Sequence, residues 1–182
     1  MTFMLLATVT PITMREGTAG AVNPLDQKRE LMELLSQETR HQIIQTLLGH
    51  PKHLASVDEL NYMVANKSRK AITDALETLV DAGILDEYRH PPNEKTRDYP
   101  WIFYGLTEYG VDVLADFGYL KGLPFARAVY KQTATTERVE RHQAAPRPAL
   151  PDVVREYLQV DEDELGDEPD VSDAAVDHAL QD

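Results

Sequence analysis

Residues 66–73 read NKSRKAIT and gather Lys67, Arg69 and Lys70 with no acidic residue among the eight. An arginine fork can pair with the edge of guanine or with phosphate, and lysine supplies a mobile point charge. Asn66 and Ser68 can each donate to phosphate or cap a helix, and Thr73 shares the outward side of that helix. The first turn of a helix also exposes unpaired N–H groups and the positive end of its dipole. The chemistry of the cluster is therefore anion binding, with Arg69 as the candidate base reader and Lys67 and Lys70 as candidate phosphate contacts. A second basic group follows in Arg89, His90, Lys95 and Arg97, set against Glu94 and Asp98.

Other chemistries find little to work with. No Ser/His/Asp set, phosphate-binding glycine loop or spaced carboxylate pair stands out, so the chain is not expected to be an enzyme. Cysteine is absent among the 182 residues, which excludes disulfides, thiolate metal sites and cysteine nucleophiles and fits a reducing cytoplasm. His50 and His53 could approach one another, but no carboxylate is expected beside them, and neither metal nor cofactor is expected.

The formal charge of −13 is unevenly distributed. Residues 151–182 hold 12 Asp and Glu against Arg155 alone, whereas residues 24–150 hold 18 acidic and 16 basic residues. The acidity belongs to the tail, so overall charge does not dismiss nucleic acid as a partner. Residues 121–150 carry Lys121, Arg127, Lys131, Arg138, Arg141 and Arg147 against Glu137 and Glu140. That surplus could widen a DNA footprint, pair with the tail or flank a dimer helix.

The elements that must position these groups follow from periodicity. Asn23 and Pro24 open a first helix with Leu31, Met32, Leu34 and Leu35 on its apolar side. Ser36 is expected to cap a second helix, which buries Ile43, Ile44, Leu47 and Leu48 and ends at Gly49 and Pro51. Ser56 and Glu59 form a capping pair ahead of a short helix over 56–65. After Asn66 a longer helix over 68–82 turns Ile72, Leu76, Leu79 and Val80 to the core and stops at Gly83. ILDEYR and WIFYGL then read as two strands joined by the loop HPPNEKTRDYP. Thr107 caps a further helix that tolerates Gly110, and LPFARAVYKQTATTERVERHQ offers one more with Phe125, Ala128, Val129 and Val139 as its apolar stripe.

The apolar opening MTFMLLATVTPI has no basic n-region and is too short to span a membrane, so residues 1–23 are expected to be a flexible arm. Residues 24–118 form the main domain and 119–145 a helical extension suited to dimerisation. Residues 146–182 are a proline-punctuated acidic tail, largely disordered, with VVREYL as a transient helix. The order of elements predicts a mostly α fold with a small β-hairpin, a winged helix-turn-helix with additional terminal helices.

In LLSQETRHQIIQTLL, SVDELNYMVANKSRKAITDALETLVDAGIL and the strand-loop-strand up to TEYG, the chain resembles ArsR-like and MarR-like winged helix transcriptional regulators, particularly versions from halophilic archaea. The resemblance covers residues 26–118. It implies a regulator that reads double-stranded DNA through Lys67, Ser68, Arg69, Lys70 and Thr73, with Asn66 beside them as a candidate from its position alone; the leading reading is a dimeric repressor in the cytoplasm. Lys95 and Arg97 would contact the backbone through the wing, where Arg89 adds to the charge, and residues 26–35 and 107–131 would build a homodimer. The alternative is a winged module for protein interaction in a transcription or chromatin assembly, contacted through the acidic tail. The tail could instead fold back on the basic surface.

Overall fold

The computed structural model describes residues 23–91, 99–133 and 135–159. Helix α1 spans Pro24–Ser36, with Asn23 capping through its side chain and proline in the first turn. Helix α2 spans Glu38–Gly49. Its cap differs from expectation. Ser36 ends α1, and Gln37 holds an extended backbone between the helices while its side chain accepts from Arg40 N at 3.0 Å. Arg40 in turn donates from Nε to Leu34 O at 2.6 Å, satisfying a carbonyl in the last turn of α1.

Strand β1 is only Leu54–Ala55, and α3 is Val57–Met63. The expected capping box at Ser56 and Glu59 is complete. Helix α4 spans Arg69–Asp81 and buries Ile72, Ala75, Leu76 and Leu79, the face its period indicated. Strands β2 (Leu85–Arg89) and β3 (Ile102–Leu106) pair antiparallel from Leu85↔Leu106 to Arg89↔Ile102. β1 adds to the other edge of β3, giving the order β1-β3-β2. A two-residue strand has no alternation to read, which is why only the hairpin was expected.

Helix α5 is Glu108–Asp116, capped by Thr107, and a 3-10 turn at Tyr119–Gly122 leads into α6 at Leu123–Gln132. The segment expected to form one further helix is two. Thr133 ends α6 with extended backbone, and Thr136 caps α7 at Glu137–Ala144. Of the predicted stripe, Val139 is buried and Ala128 half-buried, whereas Phe125 is 49% and Val129 43% exposed; the buried residue of α6 is Leu123. Helix α6 lies so close to α2 that a Cβ on Gly49 would stand 2.4 Å from Ala126 O. Gly49 thus ends α2 and also permits this crossing.

Residues 146–159 depart most from expectation. Pro146–Pro151 run across the domain as a strap into α8, Asp152–Leu158, and Leu150, Val154 and Leu158 join the main core. Their spacing of four is one apolar helix face, and burial, not composition, decides their order. The expected arm and the acidic remainder of the tail fall in 1–22 and 160–182, outside the described residues. No helix among the described residues is long and apolar enough to cross a membrane.

Candidate nucleic-acid interface

Helix α3, its turn and helix α4 form the helix-turn-helix unit. Val64 is buried beneath the turn, and Asn66 takes a left-handed conformation at φ 58, where asparagine is tolerated better than most residues. Asn66 is exposed and is not the cap. Ser68 is, accepting from Ala71 N at 3.2 Å. Arg69 and Lys70 project to solvent, while Thr73 is half-buried and donates from Oγ1 to Arg69 O at 3.0 Å.

Each cation of the cluster has an acidic partner. Lys67 Nζ lies 2.7 Å from Glu38 Oε2, Arg69 is paired with Asp58, and Lys70 Nζ lies 2.6 Å from Asp74 Oδ2. Asp74 holds the Lys70 ammonium above its usual range, through a hydrogen bond and direct charge attraction. These exposed pairs contribute about 0–1 kcal/mol each, so a phosphate can displace them at small cost. Their placement opposes the helix dipole: α4 has no acid in its first turn and no base in its last. Folding alone favours the reverse arrangement, so an anionic partner gives the cluster a physical reason.

At the wing, Arg89 is paired with Glu87 and stands 5.7 Å from the centre of the Trp101 ring. Lys95 and Arg97 lie in 92–98, outside the described residues. The loop end of the hairpin is fastened to the strap, with His90 Nε2 donating to Pro146 O at 2.8 Å.

Behind this face lies a buried network that the sequence reading missed. Arg147, counted among the surface cations, has a side chain only 3% exposed and pairs with Glu59 in α3, itself 1% exposed. Arg147 Nε also donates to Leu54 O at 3.0 Å, and Nη1 to His142 O and Ala145 O at 3.0 Å each. Its guanidinium stands 4.9 Å from the Phe103 ring centre. Strap, sheet and the first helix of the turn motif therefore meet at one side chain.

Burial pushes the Glu59 carboxyl up, but the close approach of His50, the charge of Arg147 and the Ser56 N–H outweigh it and hold it below the ordinary value. His50 Nδ1 accepts from Lys52 N at 3.0 Å, and Nε2 faces both Glu59 Oε1 at 3.6 Å and Arg147 Nη2 at 3.3 Å. Burial keeps that ring neutral by lowering its pKa. A carboxylate does stand beside His50, contrary to expectation, but Arg147 occupies the place a cation would take. His53 is turned away, with Nδ1 donating to Leu47 O at 3.0 Å. Among the described residues no group of three or more His, Asp or Glu is arranged to hold a metal.

Burial lowers His53 from 6.5 to about 4. Between these values the unfolded chain binds more protons, so this contribution is complete above pH 6.5 and is lost as the pH falls toward 4. For His53 it amounts to about 3 kcal/mol. Urea unfolding should therefore give a lower midpoint at about pH 5 than at pH 7. His53→Asn keeps a donor and tolerates the residue's φ of 51, and it should flatten that slope. An equal slope in the variant would contradict the assignment.

Comparison with known proteins places this geometry. A protein with a GntR superfamily winged-helix-turn-helix domain from Halomicrobium mukohataei superposes with a TM-score of 0.65 at 26% identity, covering 80% of this chain and 99% of that one. The acetyl-coenzyme A carboxylase carboxyl transferase subunit alpha of Aquifex aeolicus is 31% identical over 134 residues, which is 68% of this chain and 40% of that protein. The match thus leaves more than half of that relative uncovered, and carboxyl transfer is its activity alone. No family model matches. Element order, sheet topology and the structural likeness agree: the chain has the winged helix-turn-helix fold of transcriptional regulators.

Proposed function

We propose that the chain is a sequence-specific DNA-binding transcriptional regulator, a homodimer acting as a repressor in the cytoplasm. The observation that carries this reading is the cationic start of α4, placed against the helix dipole on the exposed side of the second helix of the turn motif. In such units that helix enters the major groove. Arg69 reads a base edge, Lys67 and Lys70 bind phosphates, and Asn66, Ser68 and Thr73 give neutral polar contacts. Arg89, with Lys95 and Arg97, follows the backbone at the wing. The likeness to a GntR superfamily domain supports the winged helix class and is not specific to the ArsR-like and MarR-like groups. Its source, a haloarchaeon, also supports adaptation to a salt-rich cytoplasm.

The dimer reading is supported by apolar side chains left in solvent on two helices assigned to it. Leu25 and Met32 on α1 are 75% and 54% exposed, and Phe125 and Val129 stand out on α6. Changing both Phe125 and Val129 to Asp should convert a dimer to a monomer in light scattering while leaving the circular dichroism spectrum intact. A dimer that persists would exclude α6 from the interface.

The functional test is fluorescence anisotropy with the protein's own upstream DNA in potassium chloride, competed by scrambled DNA. We expect two chains per duplex and a preference for the upstream sequence. Arg69→Gln should reduce that preference by about 1–3 kcal/mol, whereas Lys70→Gln should weaken both duplexes alike. A second reading, a winged module for protein interaction, is favoured by the acids Asp74, Glu77 and Asp81 further along the same helix. It requires equal affinity for both duplexes.

A further inference from the structure

A second basic site lies away from the turn motif. The loop after α2, helix α6, the strap and α8 line an open cleft of about 430 Å³ onto which Lys52, His53, Arg127, Arg147 and Arg155 converge, with no carboxylate among the described lining residues. Two of the five are neutralised, Arg147 by Glu59 and Arg155 by Asp152. Lys52 and Arg127 have no acidic partner among the described residues, unlike the cations of α4. Arg127 donates through Nη2 to Leu158 O at 2.6 Å, which fixes the guanidinium and leaves its other N–H groups available. A fork held in this way suits bidentate binding of an oxyanion. Leu54, Pro148 and Leu150 give the cleft apolar walls, and its volume is that of a small-molecule site.

We propose that this cleft binds a small polyanion carrying two or more carboxylate or phosphate groups, with Arg127 and Lys52 as its principal contacts. Like charges gathered in one partly enclosed space repel, and Arg127 already acts against protonation of His53. A bound anion removes that repulsion. It also bears on Arg147, which lines the cleft and clamps Glu59 of α3, so the site adjoins the turn motif through one side chain. The same chemistry could come from this chain itself, because Gln159 lines the cleft and DEDELGDEPD follows at 161–170. The free small anion is the assignment made here.

The test is calorimetric titration of the full chain with citrate and with inorganic phosphate at constant potassium chloride, alongside the ring signals of His53 by NMR. The expected result is saturable binding of one citrate per chain and a rise in the His53 pKa. Lys52→Gln, an exposed change that leaves the fold intact, should weaken citrate by about tenfold, as should Arg127→Gln. Lys131→Gln, an exposed change on α6 outside the cleft, should leave it unchanged. Absence of saturation, or equal weakening by all three changes, would overturn the site as a response to ionic strength alone. A full-length variant with the acids of 161–170 changed to Asn and Gln separates the two sources. Unchanged citrate affinity supports the free ligand, and clearly tighter binding in the variant would overturn it in favour of the chain's own acidic segment.

Discussion

Arg147→Ala should lower stability by about 3–5 kcal/mol, because it leaves the Glu59 carboxylate buried without its counter-charge. The loss exceeds that of a lone ion pair, since the same guanidinium satisfies the carbonyls of Leu54, His142 and Ala145. Arg155→Ala breaks a pair of similar composition, with Asp152, but both partners are exposed and the change should cost no more than about 1 kcal/mol. The decisive comparison is the double change Arg147→Met with Glu59→Gln. Removing both charges while keeping their volumes should recover much of the loss, since an uncompensated buried charge is worse than none. Urea unfolding of the three variants checks this. A double variant as unstable as Arg147→Ala would place the stabilisation in the carbonyl contacts, not in the ion pair.

Gly110→Ala should destabilise by about 1–3 kcal/mol or more, the reverse of the roughly 1 kcal/mol gain usual for this change inside a helix. Gly110 is buried in α5, where a Cβ would stand 2.1 Å from Ile84 O. That carbonyl is tied to the start of α5 by Thr107 N at 3.1 Å, and Thr107 Oγ1 also donates to Gly83 O at 2.5 Å. Neither backbone can retreat without breaking the cap and the end of the sheet. Gly118→Ala makes a useful contrast, since a Cβ there meets nothing within 4 Å and only its φ of 77 opposes the change. Thermal unfolding should show the larger loss for Gly110. A stabilised Gly110→Ala would show that the close approach of α5 to Ile84 is absent.

These two positions also mark where the sequence was legible and where it was not. The face of α4 could be read because Ile72, Leu76 and Leu79 repeat with the helical period, and the period records which side is buried. Glu59 was visible only in its local role, as the partner of Ser56. Its second role depends on an arginine 88 residues away, for which neighbouring residues carry no trace. Arg147 lies in AAPRPALP, whose composition reads as a tail, yet Leu150, Val154 and Leu158 were spaced to signal a packed helix. Glycine likewise reads as a helix weakness until the facing backbone is known.

The candidate DNA face shows the same division. Its cations were legible by position, and the Lys70–Asp74 pair follows from a spacing of four. The partners of Lys67 and Arg69 come from α2 and α3 and required the fold. Their presence changes the energetics more than the assignment. On the proposed reading each phosphate contact would replace an existing weak pair, so affinity would gain less than three free cations would give, and high salt would weaken both sides of the exchange.

Backbone amide shift mapping on the full chain, titrated with upstream and scrambled duplexes in potassium chloride, tests the central claim most directly. Amides of residues 66–74 and of the strand ends near Arg89 and Trp101 should move, and should move differently with the two duplexes. Shifts that are identical for both DNAs, or that avoid the start of α4, would contradict it.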